Sequence, residues 1–105
     1  AWSFTVDTVT PAVPSLLYPA NGTVTTDTTP WLDWSDVADA TGVSYQLQVD
    51  NNADFSSPVV NKSGLTLSSR TLSTLSAGTY YWRVRVTDGA GNTSAWTAAW
   101  SFTVV

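Results

Sequence analysis

The fold of this chain is decided by the stretch Thr79–Thr87, which reads TYYWRVRVT. Apolar and polar side chains alternate along it, so that Trp82 and Val84 share one face while Arg83 and Arg85 share the other. A period of two is typical of a β-strand, and a strand with one apolar and one polar face is typical of an antiparallel sheet that is wet on one side. The stretch therefore predicts a half-buried strand of such a sheet.

The same alternation recurs along the rest of the chain. Val43–Asp50 repeats it most clearly, and Trp96–Val104 places Trp96 in phase with Trp100 and Phe102. Four weaker strands are predicted at Ser15–Tyr18, Trp31–Ser35, Pro58–Lys62 and Ser68–Leu72. Seven short strands separated by turns predict an all-β fold, a seven-stranded antiparallel β-sandwich. The predicted core consists of Trp34, Tyr45, Leu47, Val49, Trp82, Val84, Trp100 and Phe102.

The composition argues against several classes of function. Apolar residues make up 43% of the 105 residues, enough for a core, and the chain has no His, Cys, Met or Glu. Without His, Cys and Glu, the usual catalytic bases and transition-metal ligands are missing, so we expect no enzyme, no metal site and no cofactor. A net charge of −4 argues against nucleic acid as a partner, and no apolar run is long enough for membrane insertion.

The hexapeptide AWSFTV occurs twice, at Ala1–Val6 and again 98 residues later at Ala99–Val104. A repeat at that distance indicates a tandem array of domain-sized units. We therefore interpret residues 1–7 as the final strand of a preceding repeat, residues 8–14 as a linker stiffened by its prolines, and residues 15–105 as one sandwich repeat. Trp2, Phe4 and Val6 form the predicted inter-repeat strand, because each large apolar side chain left in water forgoes about 1.5–3 kcal/mol. The neighbour is either part of one covalent array or a separate subunit that receives the strand.

Several of these stretches together resemble a known family. They are Pro30–Ser35 (PWLDWS), Tyr45–Asp50 (YQLQVD), Gly78–Arg85 (GTYYWRVR) and Asp88–Asn92 (DGAGN). Over nearly the whole chain they are similar to the fibronectin type III-like and bacterial immunoglobulin-like tandem repeats of large extracellular surface proteins. The resemblance implies a sandwich with Trp34 at the centre of its core. It also implies a tyrosine that tethers the preceding turn, a role that either Tyr80 or Tyr81 fills.

Three Asn-X-Ser/Thr sequons are candidates for N-glycosylation, at Asn21, Asn61 and Asn92. All three fall in predicted turns or edge positions, where a glycan can be accommodated. The stretch Thr23–Pro30 is a candidate for O-glycosylation because it is rich in threonine. Since only 11% of residues are charged, glycans would help to keep the surface from associating.

Two turns carry acidic and amide residues in calcium-like order, at Asp50–Asp54 and Asp88–Asn92. The first fails the rest of the calcium-loop pattern, because its sixth position is Phe55 instead of glycine, and turn formation explains both segments. Trp31 is a predicted exposed aromatic on the polar faces, together with Tyr81. It is either covered by a neighbouring loop or repeat, which we favour, or part of a sugar-stacking platform.

The sequence therefore predicts a structural repeat of an extracellular filament, stalk or adhesin, joined end to end through its terminal strands. Copies of itself are the expected partners, with surface glycans as a further class. The alternative is a carbohydrate-binding accessory module of a secreted polysaccharide-degrading enzyme. A cysteine-free composition rich in Ser and Thr is typical of a prokaryotic cell-surface or extracellular protein.

Overall fold

A computed structural model describes residues 10–38 and 42–105. The predicted inter-repeat strand, with Trp2, Phe4 and Val6, lies outside the described residues, as does the first part of the linker. The strands are β1 (Leu16–Tyr18), β2 (Thr23–Thr25), β3 (Trp31–Trp34), β4 (Val43–Asp50), β5 (Val60–Leu65), β6 (Ser69–Thr71), β7 (Gly78–Asp88) and β8 (Trp100–Val104).

The strands form two sheets packed face to face, which confirms the predicted all-β sandwich. One sheet has the order β1-β3-β6, and the other has the order β2-β8-β7-β4-β5. The long strands β4 and β7 pair antiparallel from Val43↔Asp88 to Asp50↔Tyr81 and form the centre of the larger sheet.

Within residues 10–38 and 42–105 the strand count is eight rather than seven, and one pairing is parallel. The additional strand is β2, which runs parallel to β8 with Thr23 opposite Phe102. Sequence alternation misses it because β2 is a three-residue edge strand whose central Val24 is 65% exposed. Its position depends on backbone pairing with β8, which leaves no burial pattern in the sequence.

The predicted strand Trp96–Val104 is shorter in the structure, where β8 begins at Trp100. Upstream of it, hydroxyl groups replace backbone partners of β7. Thr97 Oγ1 accepts the N–H of Val84 at 3.1 Å, and Ser94 Oγ accepts the N–H of Val86 at 3.0 Å. These side-chain bonds interrupt the regular ladder. Trp96 therefore does not continue the apolar face of β8.

The core lies between the two sheets. Trp34 is at its centre, with its ring 5.7 Å from that of Tyr45 and 6.4 Å from that of Trp82. The other predicted core residues Leu47, Val49, Val84 and Phe102 are fully buried. Trp100 is the exception, because it is half-buried at the margin of the core and contacts Trp82 edge-on at 6.4 Å. It opens β8, before the pairing of that strand with β2 begins at Phe102.

The described chain begins and ends at opposite poles of the sandwich. At one pole the Ser35 N–H donates to the Ser15 carbonyl, where β1 starts. At the other pole Gly78 is paired with Val104, and the Val105 N–H donates to the Thr25 carbonyl at 2.9 Å. This arrangement gives the domain an N-terminal pole and a C-terminal pole.

Candidate functional site

The tyrosine that tethers the preceding turn is Tyr80. Its hydroxyl donates to the Ser76 carbonyl at 2.7 Å, and its ring stacks on Phe102 with a centroid distance of 5.7 Å. Tyr80 is buried, whereas its neighbour Tyr81 lies half-buried on the opposite face of β7. The family resemblance left Tyr80 and Tyr81 open, and the structure selects the residue that points inward.

The outer face of the larger sheet carries a stack of aromatic rings and guanidinium groups. Arg83 lies between the rings of Phe55 and Trp96, at 4.2 and 4.3 Å from their centroids, and Arg85 lies 4.5 Å from the Trp96 centroid. Burial and the neighbouring charge of Arg85 lower the pKa of Arg83. These contacts explain why Trp96 leaves the apolar face, since cations bind the face of an indole ring.

Hydrogen bonds across the strands complete this outer face. Gln48 Oε1 accepts from Nε and Nη2 of Arg83 at 3.0 and 2.7 Å. Gln46 Oε1 accepts from Nε of Arg85 at 2.8 Å. The two arginines therefore join β7 to β4 through the glutamines and, through Trp96, to the segment between β7 and β8.

The two calcium-like turns use their carboxylates to organise the backbone. Asp88 Oδ1 accepts the N–H groups of Ala90 and Asn92, at 3.0 and 2.8 Å. Asp54 Oδ1 accepts the Ser56 N–H at 3.1 Å, and hydrogen bonds from the Ser56 hydroxyl and N–H lower the pKa of this exposed carboxyl. Both segments thus form turns, and residues 10–38 and 42–105 contain no group of three His, Cys, Asp or Glu side chains placed to hold a metal ion.

The three sequons differ in how accessible their amide nitrogens are. Asn21 and Asn61 are exposed and use their side-chain oxygens as acceptors, for the Ser101 N–H and for Gln46 Nε2. Asn92 is half-buried, and its Nδ2 donates to Asp88 Oδ2 at 3.0 Å. The amide nitrogen of Asn92, to which a glycan would be attached, is therefore hydrogen-bonded within its own turn.

The disfavoured alternative, in which Trp31 and Tyr81 share a sugar-stacking platform, does not hold. Trp31 belongs to β3 in the smaller sheet and Tyr81 to β7 in the larger one, so their side chains face away from each other. The ring of Trp31 instead contacts that of Tyr18 at a tilt of 40°, with centroids 5.6 Å apart, and the two residues are 44% and 54% exposed. Tyr18 was missed because a shift in register after Leu16 breaks the alternation of β1.

The described part of the predicted linker, residues 10–14, packs on the sandwich. Pro11 and Pro14 are both buried, although Ala12 and Val13 between them are exposed. Next to them lies a shallow hollow of about 300 Å³, formed by Val13–Leu16 and by residues 96–98 with Trp100. The linker is therefore fixed to the pole where the described chain begins.

Strand β8 occupies a slot between β2 and β7. It pairs antiparallel with β7 from Trp82↔Trp100 to Gly78↔Val104, and parallel with all of β2. Phe102 and Val104 are buried in the core, and the Ser101 N–H donates to Asn21 Oδ1 at 2.8 Å. Both edges of this strand are thus used within its own domain.

Within the described ranges there is no helix with the length and apolar character needed to cross a membrane.

A model of a protein family described as bacterial Ig-like domain matches residues 19–104. The chain belongs to the bacterial Ig-like domain family. The match spans β2 to β8 and confirms the resemblance to bacterial immunoglobulin-like repeats. No curated protein sequence matches the chain.

Solved structures agree with this Ig-like fold. The fibronectin type III domain of human fibronectin type III domain containing protein 3 is 18% identical, with a TM-score of 0.62 over 92% of this chain and 88% of that one. An α-L-rhamnosidase of Streptomyces avermitilis, solved in complex with L-rhamnose, is 23% identical, with a TM-score of 0.55 over 90% of this chain. The Ig-like chain spans 10% of that enzyme's length, and at these identities the likeness concerns the fold alone.

Proposed function

We propose that this Ig-like domain is a structural repeat of an extracellular filament, stalk or adhesin, joined to its neighbours through its terminal strands. The observation that carries the proposal is the identity of Ala1–Val6 with Ala99–Val104, the segment that supplies β8. In that segment Phe102 and Val104 are fully or almost fully buried. A second copy of the same segment has the side chains to complete a second sandwich.

The correspondence between the two copies is residue by residue. Trp2, Phe4 and Val6 take the places of Trp100, Phe102 and Val104 in a neighbouring slot. Burial of large apolar side chains stabilises by about 1.5–3 kcal/mol each, so the segment gains most in a sandwich. We therefore assign residues 1–7 to the preceding repeat and residues 8–14 to the linker.

A covalent array is favoured over donation of a strand between separate subunits. The slot between β2 and β7 is filled by the domain's own β8, whose pairing runs along both edges. A donated strand would first have to displace it. In a covalent array each hexapeptide serves one slot, and no displacement is needed.

The position of the chain ends and the linker also support an array. Val105 lies at the pole opposite to Ser15, so successive domains follow one another along one axis. Burial of Pro11 and Pro14 fixes the direction in which the linker leaves the domain. These features suit a load-bearing chain with a set pitch.

Bacterial Ig-like domains often belong to extracellular or surface proteins, which fits a cell-surface location. They are typically non-catalytic, and we propose the same for this chain. Asn21 and Asn61 are the sequons best placed for glycosylation, since both are exposed. Intact mass of the native protein tests this: added hexose mass supports a glycoprotein, and the bare sequence mass contradicts it.

A protein made of two repeats tests the array. The repeats follow each other with a period of 98 residues and share one copy of the hexapeptide at their junction. In the single chain we expect Phe102→Ala to cost about 3–5 kcal/mol, as for other buried Phe, and Phe4→Ala to cost nothing measurable. In the two-repeat protein, Phe→Ala in the junction hexapeptide should destabilise the preceding repeat alone. Equal effects of Phe4→Ala and Phe102→Ala in the single chain, or a junction substitution that leaves both repeats unchanged in urea, would overturn the proposal.

A carbohydrate-binding accessory module is the second candidate function. It is favoured by the exposed Trp31–Tyr18 pair, because sugar rings stack on exposed aromatic side chains, and by the fold shared with part of a rhamnosidase chain. Binding on a glycan array that is lost in Trp31→Ala and kept in Tyr81→Ala would support it. Absence of any binding by the parent chain counts against it.

A further inference from the structure

The open side of the sandwich contains a cleft of about 540 Å³. It lies between β5 and β6, the outermost strands of the larger and the smaller sheet. One wall is Val59–Lys62, and the other is Arg70–Ser76 with Tyr80. Its volume falls within the range of about 300–1,000 Å³ that is usual for small-molecule sites.

Two of the chain's four cations point into this cleft. Lys62 is paired with Leu47 and Arg70 with Leu32, and both leucines are fully buried between the sheets. Residues directly opposite each other in an antiparallel pair point to the same face of the sheet. Both basic side chains therefore start from the inner faces of the edge strands and extend along the opening.

Neither cation is neutralised inside the described part of the chain. The side chains of Lys62 and Arg70 have no hydrogen bond or ion pair with any residue in 10–38 or 42–105, and the cleft has no acidic residue in its walls. The other two cations, Arg83 and Arg85, are bound to glutamines and aromatic rings on the outer face. On a protein of net charge −4, the cleft is a local basic site.

Hydroxyl groups surround the two charges. Ser73, Thr74 and Ser76 lie in the wall opposite Lys62, and Leu72 and Leu75 contribute apolar surface. A guanidinium group and an ammonium group bind carboxylate oxygens, and hydroxyls exchange hydrogen bonds with a polyhydroxylated ligand. We propose that this cleft binds an acidic saccharide, with a carboxylate between Lys62 and Arg70.

The edge strands argue against an extended peptide as the occupant. The pairing of β4 with β5 shifts register between Tyr45↔Leu65 and Leu47↔Lys62, and Gly64 in the shifted segment has φ of 70°. A bulge and an inward-pointing charge both hinder the addition of a further strand. A compact anionic ligand between the strands does not require a regular edge.

Isothermal titration calorimetry of the full chain with trigalacturonate at low salt tests the proposal. A neutral galactose trisaccharide is the control ligand, and we expect the acidic one to bind more tightly. Lys62→Gln with Arg70→Gln should weaken trigalacturonate binding by about tenfold, as two partly exposed charge pairs would. Arg85→Gln is the matched variant, since it removes one charge outside the cleft, and it should leave the affinity within about twofold.

Binding that persists in the double variant, or equal affinity for the neutral trisaccharide, overturns the proposal. A second result would also overturn it: the parent chain does not bind trigalacturonate but self-associates in sedimentation at low salt, and the double variant does not self-associate. The occupant of the cleft is then an acidic surface of a second copy. Thermal melts show whether each variant is folded. If the double variant does not fold, the two single variants replace it, and each should weaken trigalacturonate binding by about threefold. None of these results bears on the tandem array, which depends on β8.

Discussion

Tyr80 is the residue at which the sequence left two possibilities and the structure selects one. Its hydroxyl bond to the Ser76 carbonyl fixes the turn before β7. A typical intramolecular hydrogen bond contributes about 0.5–1.5 kcal/mol, so we expect Tyr80→Phe to lower the free energy of unfolding by about 1 kcal/mol. Urea unfolding measures it. Tyr81→Phe is the control and should change stability by less than about 0.5 kcal/mol, and a larger loss there than in Tyr80→Phe would contradict the assignment.

Asp54 is the carboxyl with a clear electrostatic role. Hydrogen bonds from the Ser56 hydroxyl and N–H favour its charged form and lower its pKa. A carboxyl whose pKa is lower in the folded state stabilises the fold above its unfolded value, near pH 4, and this contribution is lost as the pH falls through the folded pKa. Ser56→Ala should raise the pKa of Asp54, which NMR titration of the carboxyl carbon measures. A pKa that stays the same would show that the hydroxyl bond does not form in solution.

Burial could be predicted from sequence where alternation is long and unbroken. Trp82 and Val84 lie in an eleven-residue strand, and both are fully buried. Trp96 could not be placed in the same way, because the Thr97 and Ser94 hydroxyls take the place of strand partners and the arginines attract its ring to the outer face. These are long-range contacts, and a local pattern does not contain them.

At the scale of elements, the Trp96 stack joins the segment before β8 to β7. The Arg83 guanidinium contacts the Trp96 ring at 4.3 Å. A cation–π contact of this kind contributes about 0.5–1 kcal/mol at an exposed site. A double-mutant cycle of Arg83→Met and Trp96→Leu should give a coupling energy of that size in urea unfolding.

The control cycle pairs Arg83→Met with Trp31→Leu, on the opposite sheet, and should give no coupling. Equal coupling in the two cycles would mean that the effect comes from general destabilisation instead of a direct contact.

The edge elements show the limit of sequence prediction. β5 covers Val60–Leu65, although Pro58–Lys62 was predicted, and β2 was not predicted as a strand at all. Both lie at the outside of the larger sheet, where few side chains are buried. Their bounds follow from the register of the neighbouring strand. The cleft shares this origin, since only the pairing with Leu47 and Leu32 shows that Lys62 and Arg70 face the same opening.

At the scale of the whole molecule, the position of the poles links the fold to the proposed array. Ig-like domains linked through opposite poles follow one another along one axis, and this does not depend on the side chains of their outer faces. In the proposed array, the outer face with the Trp31–Tyr18 pair and the open side with the cleft are then free for lateral contacts. The proposed axial and lateral contacts would thus use different surfaces of the same domain.

At this scale, the linker of the proposed array determines the angle between successive repeats. Pro11 and Pro14 are buried against the domain, so two linked repeats should keep a fixed angle. Small-angle scattering of the two-repeat protein should then give a narrow distance distribution with one maximum dimension. Replacing both prolines by glycine in the second repeat frees φ and should broaden that distribution without unfolding either domain. Pro58→Gly, at a half-buried site outside the linker, is the control and should leave the distribution unchanged. Equally broad distributions for the parent and the glycine variant would show that the linker does not set the pitch, and the array would then be a flexible chain of rigid domains.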